Sequence, residues 1–162
     1  MAKEEQKIEE TEKKNKSIKK DYIKSVGRRR LAVARDRFYA NPKEDVMWGD
    51  QLVAKGQIFV NGKPINEYFY GSVAKAAYEE PLRITNLLEK SIVTISVVGG
   101  GKNGQLDAVI HGISRALVKH DSEKHRKLLK KKGFLTRDPR ARERRKVGTG
   151  GKARRKKQSP KR

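Results

Sequence analysis

The chain has 162 residues, enough for one domain with length left for extensions, and its net charge of +22 points to a polyanionic partner. Only 35% of residues are hydrophobic and 6% aromatic, so part of the chain lies outside any core, and the absence of cysteine excludes disulfides and thiolate metal sites. No apolar stretch approaches the roughly 20 residues of a membrane-spanning helix, and six acids within residues 1–21 argue against a transit peptide, so no membrane partner is expected and the cysteine-free composition permits a cytoplasmic location.

Residues 1–21 carry seven Lys and six acids, with only Ile8 and Ile18 as branched apolar residues. Such a segment cannot bury enough surface to offset its ordering entropy and is read as a flexible Lys/Glu-rich extension. Residues 22–133 are expected to form the globular α/β domain. Leu31, Val33, Phe38 and Tyr39, with Arg35 and Arg37 between them, suggest a half-buried strand that ends at Asn41-Pro42. Residues 42–55 read as a loop centred on Trp48-Gly49-Asp50. Gln57 to Val60 is a second strand, stopped by the turn pair Asn61-Gly62.

Residues 65–79 are read as one or two short helices closed by Pro81, with another helical stretch over 82–89. Ser91 to Val98 is the clearest strand, with six β-branched residues among its eight. Three glycines, Gly99 to Gly101, break it. From Gln105 to His120, Leu106, Val109, Ile110, Ile113 and Leu117 recur at helical spacing. Ser122 is the expected N-cap of a last helix running through Lys132 and ended by Gly133. Residues 134–162 then form the extended basic arm. The span 122–162 holds nineteen Lys/Arg against three acids, so most of the excess charge sits in the last quarter of the chain.

Gly99, Gly101 and Gly104 match the spacing of a dinucleotide loop between a strand and a helix. No acid follows at the end of a second strand, and Lys102 precedes Asn103 instead of Ser or Thr, so neither a dinucleotide nor a Walker loop is supported. The loop is read as backbone N–H groups facing an RNA phosphate, with a purely structural turn as the competing reading. His111, His120 and His125 have no metal-ligand spacing, and no arrangement of residues supports catalysis, so no metal, cofactor or enzymatic activity is expected. Arg28-Arg29-Arg30, Lys130-Lys131-Lys132, Arg144-Arg145-Lys146 and Arg154-Arg155-Lys156-Lys157 are different in kind. Arginine forks suit phosphates, and extended basic arms enter crevices of folded RNA. The arm lacks the apolar face of a membrane-surface helix.

These residues also resemble one family. Val26-Gly27-Arg28-Arg29-Arg30, Ile58-Phe59-Val60-Asn61-Gly62-Lys63-Pro64 and Tyr68-Phe69 are followed by Pro81-Leu82, Val97-Val98-Gly99-Gly100-Gly101 and Gly104-Gln105. His111-Gly112-Ile113-Ser114-Arg115-Ala116-Leu117, Gly133-Phe134-Leu135-Thr136-Arg137-Asp138-Pro139-Arg140, Lys152-Ala153-Arg154-Arg155 and Lys161-Arg162 complete the series in order. Over residues 22–162 the chain is similar to the bacterial-type ninth protein of the small ribosomal subunit. The resemblance implies an α+β, sandwich-like fold: a small mixed sheet packed by helices, with a left-handed βαβ crossover and a long basic C-terminal arm. It implies a structural role in the head of the subunit, on the 3′ domain of 16S-type rRNA and beside neighbouring ribosomal proteins. Arg28, Arg29, Arg30, Gly99, Gly100, Gly101, Lys102, Arg115, Arg137, Arg140, Arg144, Arg145, Lys146, Lys152, Arg154 and Arg155 are then the expected rRNA-facing residues. Lys161 and Arg162 would approach the anticodon stem-loop of P-site tRNA. The chain departs from the family pattern in residues 1–21, in the longer 42–55 loop, and in Ser159-Pro160 where an aromatic and a serine are usual. A free-standing RNA chaperone is the alternative reading.

Overall fold

The computed structural model describes residues 22–49 and 51–148. The expected N-terminal extension, Asp50, and the distal arm with Lys152, Arg154, Arg155, Lys161 and Arg162 lie outside the described residues.

The chain opens with strands β1 (Ile23–Arg29) and β2 (Ala32–Ala40), then a small hairpin of β3 (Val46–Trp48) and β4 (Gln51–Val53). Strands β5 (Ile58–Val60) and β6 (Lys63–Pro64) lead into helices α1 (Ile65–Tyr68) and α2 (Ser72–Ile84). Strand β7 (Ser91–Val98) and helices α3 (Lys102–His120) and α4 (Ser122–Lys131) follow. Five strands form one mixed sheet in the order β1-β2-β7-β5-β6, and β3 pairs only with β4. Strand β5 runs parallel to β7, so the chain between them must cross over, and α1 and α2 make that crossover.

Strand β7 fulfils its β-branched pattern residue for residue, because it is central in the sheet and buried over most of its length. Helix α3 starts three residues before the expected Gln105, at Lys102, and buries Ala108, Val109, Ile113, Ala116 and Leu117. Those side chains meet Phe38, Val93 and Ile95 of the sheet, Tyr78 and Leu82 of α2 and Leu129 of α4 in the main core. A smaller core lies on the opposite face, where Val53, Phe59 and Ile92 pack with Tyr39, Val46 and Trp48.

Five local expectations are corrected. Strand β1 had no counterpart among the expected elements, because its Lys, Ser, Gly and Arg residues carry no apolar alternation. Strand β2 turns the opposite parity inward: Ala32, Ala34, Asp36 and Phe38 are buried, whereas Leu31 is 81% exposed. The 42–55 loop contains the β3–β4 hairpin, whose inner residues cover the second core. Helix α2 runs through Pro81 to Ile84, and the Thr85 hydroxyl approaches the carbonyls of Pro81 and Leu82, both at 3.1 Å, closing the last turn without a second helix over 82–89. At α4, Asp121 replaces Ser122 as the cap, its side chain accepting from the Lys124 N–H at 3.1 Å.

The small residues of β1 and β2 let α3 lie unusually close. A Cβ on Gly27 would fall 1.8 Å from the Ala108 carbonyl oxygen, and one on Gly112 would fall 1.8 Å from Asp36 Oδ2. Asp36 is thereby sealed beneath α3, 2% exposed, and burial pushes its carboxyl up to about 7 against the pull of Ser25 and Arg115. Hydrogen counting agrees. Ser25 Oγ lies 3.1 Å from Asp36 Oδ2 and 2.9 Å from the Gly112 carbonyl, yet a hydroxyl carries one hydrogen. Both contacts are satisfied when Ser25 donates to Gly112 and a protonated Asp36 donates to Ser25.

Folding therefore raises this carboxyl above its ordinary value of 3.8. Its contribution is full below that value and lost as pH rises towards 7. Denaturant titrations across this window should show wild-type stability falling relative to Asp36→Asn, by at most about 4 kcal/mol at 1.36 kcal/mol per unit. A pH-independent difference would place the proton elsewhere.

A candidate nucleic-acid interface

The C-terminal end of β1, helix α3 and the residues after α4 enclose a cleft of about 380 Å³. Arg28, Arg29, His111, Arg137 and Arg140 line it together with Asp107 and Asp138. Alternation along β1 divides the arginine triplet: Arg28 and Arg30 are exposed and Arg29 is buried.

Arg29 spends its donors inside the chain. Its Nε lies 3.3 Å from Asp107 and its Nη2 2.7 Å from Asp138, while Nη1 donates to the Arg140 carbonyl at 3.2 Å. One guanidinium thus joins β1 and α3 to the root of the basic arm. Arg140 closes a local turn on Asp138 through its backbone N–H and its guanidinium, at 2.9 Å and 2.6 Å. The Arg140 hydrogen bonds hold the Asp138 carboxyl well below the usual carboxylate range and raise Arg140. Residues 134–148 have no regular secondary structure, and Arg137, Arg144, Arg145 and Lys146 are exposed along them.

His111 accepts the Arg28 N–H on Nδ1 at 3.4 Å. Burial, then the Arg115 charge, lowers its pKa, so at neutral pH the ring is uncharged and Nε2 carries the hydrogen. Arg115 is exposed and donates to the Val26 carbonyl, and Lys119 donates to the Lys24 carbonyl at 2.7 Å. These two α3 cations occupy carbonyls along β1, an edge strand. His120 and His125 stack 6.3 Å apart, away from the cleft, and no metal-binding group of three His, Asp or Glu occurs among the described residues.

The glycine loop has a packing reason. Gly99 and Gly100 adopt φ of 75° and 66°, and a Cβ on Gly99 would strike the Leu31 carbonyl oxygen at 2.4 Å. Gly101 stands before α3 with open space beside it. Lys102 turns back, donating to the Tyr68 carbonyl at 3.1 Å with its ammonium 3.5 Å from the Tyr68 ring centroid. Of the expected cations, Arg28, Arg29, Arg137 and Arg140 meet at the cleft, Arg115 lies along β1, and Lys102 stands apart at the start of α3. Sequence reasoning missed Asp107, Asp138 and Lys119. The two-residue spacing of Asp138 and Arg140 is the one signal it offered.

No helix among the described residues is long and apolar enough to cross a membrane. A family model described as ribosomal protein S9/S16 matches residues 27–162. The small ribosomal subunit protein uS9 of Maridesulfovibrio salexigens is 42% identical over 134 residues, covering 83% of this chain and 92% of that protein. The uS9 protein of Anaeromyxobacter sp. (strain K) is 42% identical over 127 residues, covering 78% and 87%. With the mixed sheet, its parallel β5–β7 pair and the arm rooted by Arg29, these matches place the chain in the S9 family of ribosomal proteins.

Proposed function

We propose that the chain binds 16S-type rRNA in the head of the small subunit and places its C-terminal end near P-site tRNA. Membership of the S9 family makes it a structural ribosomal protein of the small subunit, and not an enzyme. The finer reading is carried by one observation: the thirteen cations of residues 134–162 belong to an arm whose root Arg29 fixes against the folded domain. In this reading residues 22–133 dock on rRNA, and the arm from residue 134 threads between its helices and neutralises phosphates. Fixing the root lowers the entropy lost when the arm meets RNA. Arg28 and Arg137 supply charge beside that root.

Binding to a head-rRNA fragment should be tight and strongly salt-dependent. If about six cations engage phosphates, the slope of log affinity against log salt should be about −4 to −6. A nearly flat response would overturn the reading.

Lys161 and Arg162 are two of those thirteen cations, so deleting them should leave subunit assembly nearly intact. The same deletion should weaken P-site tRNA binding a few-fold, most at low magnesium, where screening is least. The check is tRNA affinity for purified subunits carrying full-length or two-residue-truncated protein. Equal affinities would confine the protein to scaffolding.

A further inference from the structure

The sheet face turned away from α3 is built from alternate residues of β1, β2 and β7. Pairing aligns them in rows: Lys24 with Arg37 and Thr94, Val26 with Arg35 and Ser96, and Arg28 with Val33 and Val98. The rows hold Lys24, Arg35 and Arg37 and no acid, while Arg28, in the last row, also lines the Arg29 cleft. At one end the Tyr22 and Tyr39 rings lie 5.5 Å apart, and the Arg37 guanidinium sits 5.3 Å from the Tyr22 centroid. Trp48, carried by the β3–β4 hairpin, walls a depression of about 390 Å³ there. Thr94 lies in its lining, 2% exposed, beside the Tyr39 hydroxyl.

Each feature asks for a different part of one ligand. Exposed Lys24, Arg35 and Arg37 suit phosphates, and aromatic faces suit bases. A duplex offers its phosphates but keeps its bases stacked. An acidic peptide matches the cations and leaves the rings unused.

We propose that this face, separate from the arm and the Arg29 cleft, binds a short unpaired stretch of rRNA, with bases stacked beside Tyr22 and Trp48 and phosphates against Arg35 and Arg37. The proposal rests on the rRNA-binding reading and names a second contact surface for it.

Trp48 is the only tryptophan, so its fluorescence reports this face in the full-length protein. A labelled single-stranded oligoadenylate should quench Trp48 while its anisotropy rises, whereas duplex RNA and polyglutamate should leave Trp48 unquenched. Tyr22→Ala should weaken the quench-detected affinity about tenfold, the cost of one lost stacking partner. Tyr22→Phe should retain it, and the exposed Arg35→Gln should weaken it a few-fold without threatening the fold. Oligoadenylate binding without quenching would overturn this surface and leave the rRNA reading standing. No RNA binding at all would remove both. Quenching by polyglutamate with none by oligoadenylate would mark the face as protein-binding and overturn the proposal.

Discussion

Replacing Gly27 by alanine is expected to destabilise the protein by about 3 kcal/mol or more and to lower its melting temperature by roughly 10 °C or more. The added methyl would lie 1.8 Å from the Ala108 carbonyl oxygen and 2.5 Å from the Gly112 nitrogen, both α3 backbone atoms. Backbone cannot rotate aside as a side chain can. Helix α3 must back away from β1 and β2, which opens space beside Ala34, Phe38 and Ile113 in the main core. Gly101→Ala is the control, since a Cβ there meets nothing within 4 Å and φ is −118°. Thermal denaturation of the two variants checks the contrast. Equal melting temperatures would show that α3 does not pack as described.

Arg29→Met should cost about 2 kcal/mol in stability. That is below the full cost of breaking a buried ion pair, because the Asp107 and Asp138 side chains stay 55% and 30% exposed and water recovers part of their solvation. The larger effect should be on order at the arm root. With the guanidinium gone, the Asp138 and Arg140 carbonyls lose their donor, and trypsin should cut after Arg137 and Arg140 much faster. Affinity for rRNA should fall by more than removal of one inward-facing charge explains, because the arm enters the complex less organised. Lys119→Met, which removes an exposed cation from α3, should leave cleavage at the arm root unchanged. Unchanged cleavage in Arg29→Met would show that Arg29 does not anchor the arm.

What could be read from the sequence follows from how locally each feature is determined. Strand β7 and helix α3 were legible because β-branched runs and helical apolar spacing act within one element, and α4 was located although its cap is Asp121 and not Ser122. Strand β2 was misread by parity because its inward residues are two alanines, an aspartate and one phenylalanine, which carry less apolar weight than outward Leu31. Their use appears only once α3 is laid across them. The β3–β4 hairpin was missed for a similar reason, since three-residue strands gain their stability from the core they cover. The arginine triplet was legible as basic, but its division was not: the partners that draw Arg29 inward lie 78 and 109 positions away. The glycine run illustrates the converse. It matched a phosphate-loop pattern literally, yet the contact that requires Gly99 is a carbonyl at the β1–β2 turn.

The most direct test of the account is crosslinking of the full-length protein to RNA in translating cells, followed by sequencing of the attached fragments. Reads concentrated in the 3′ domain of the small-subunit rRNA, at the head, would meet the expectation. Reads spread across messenger and other RNAs without a preferred rRNA region would contradict it, and would describe a general RNA chaperone instead.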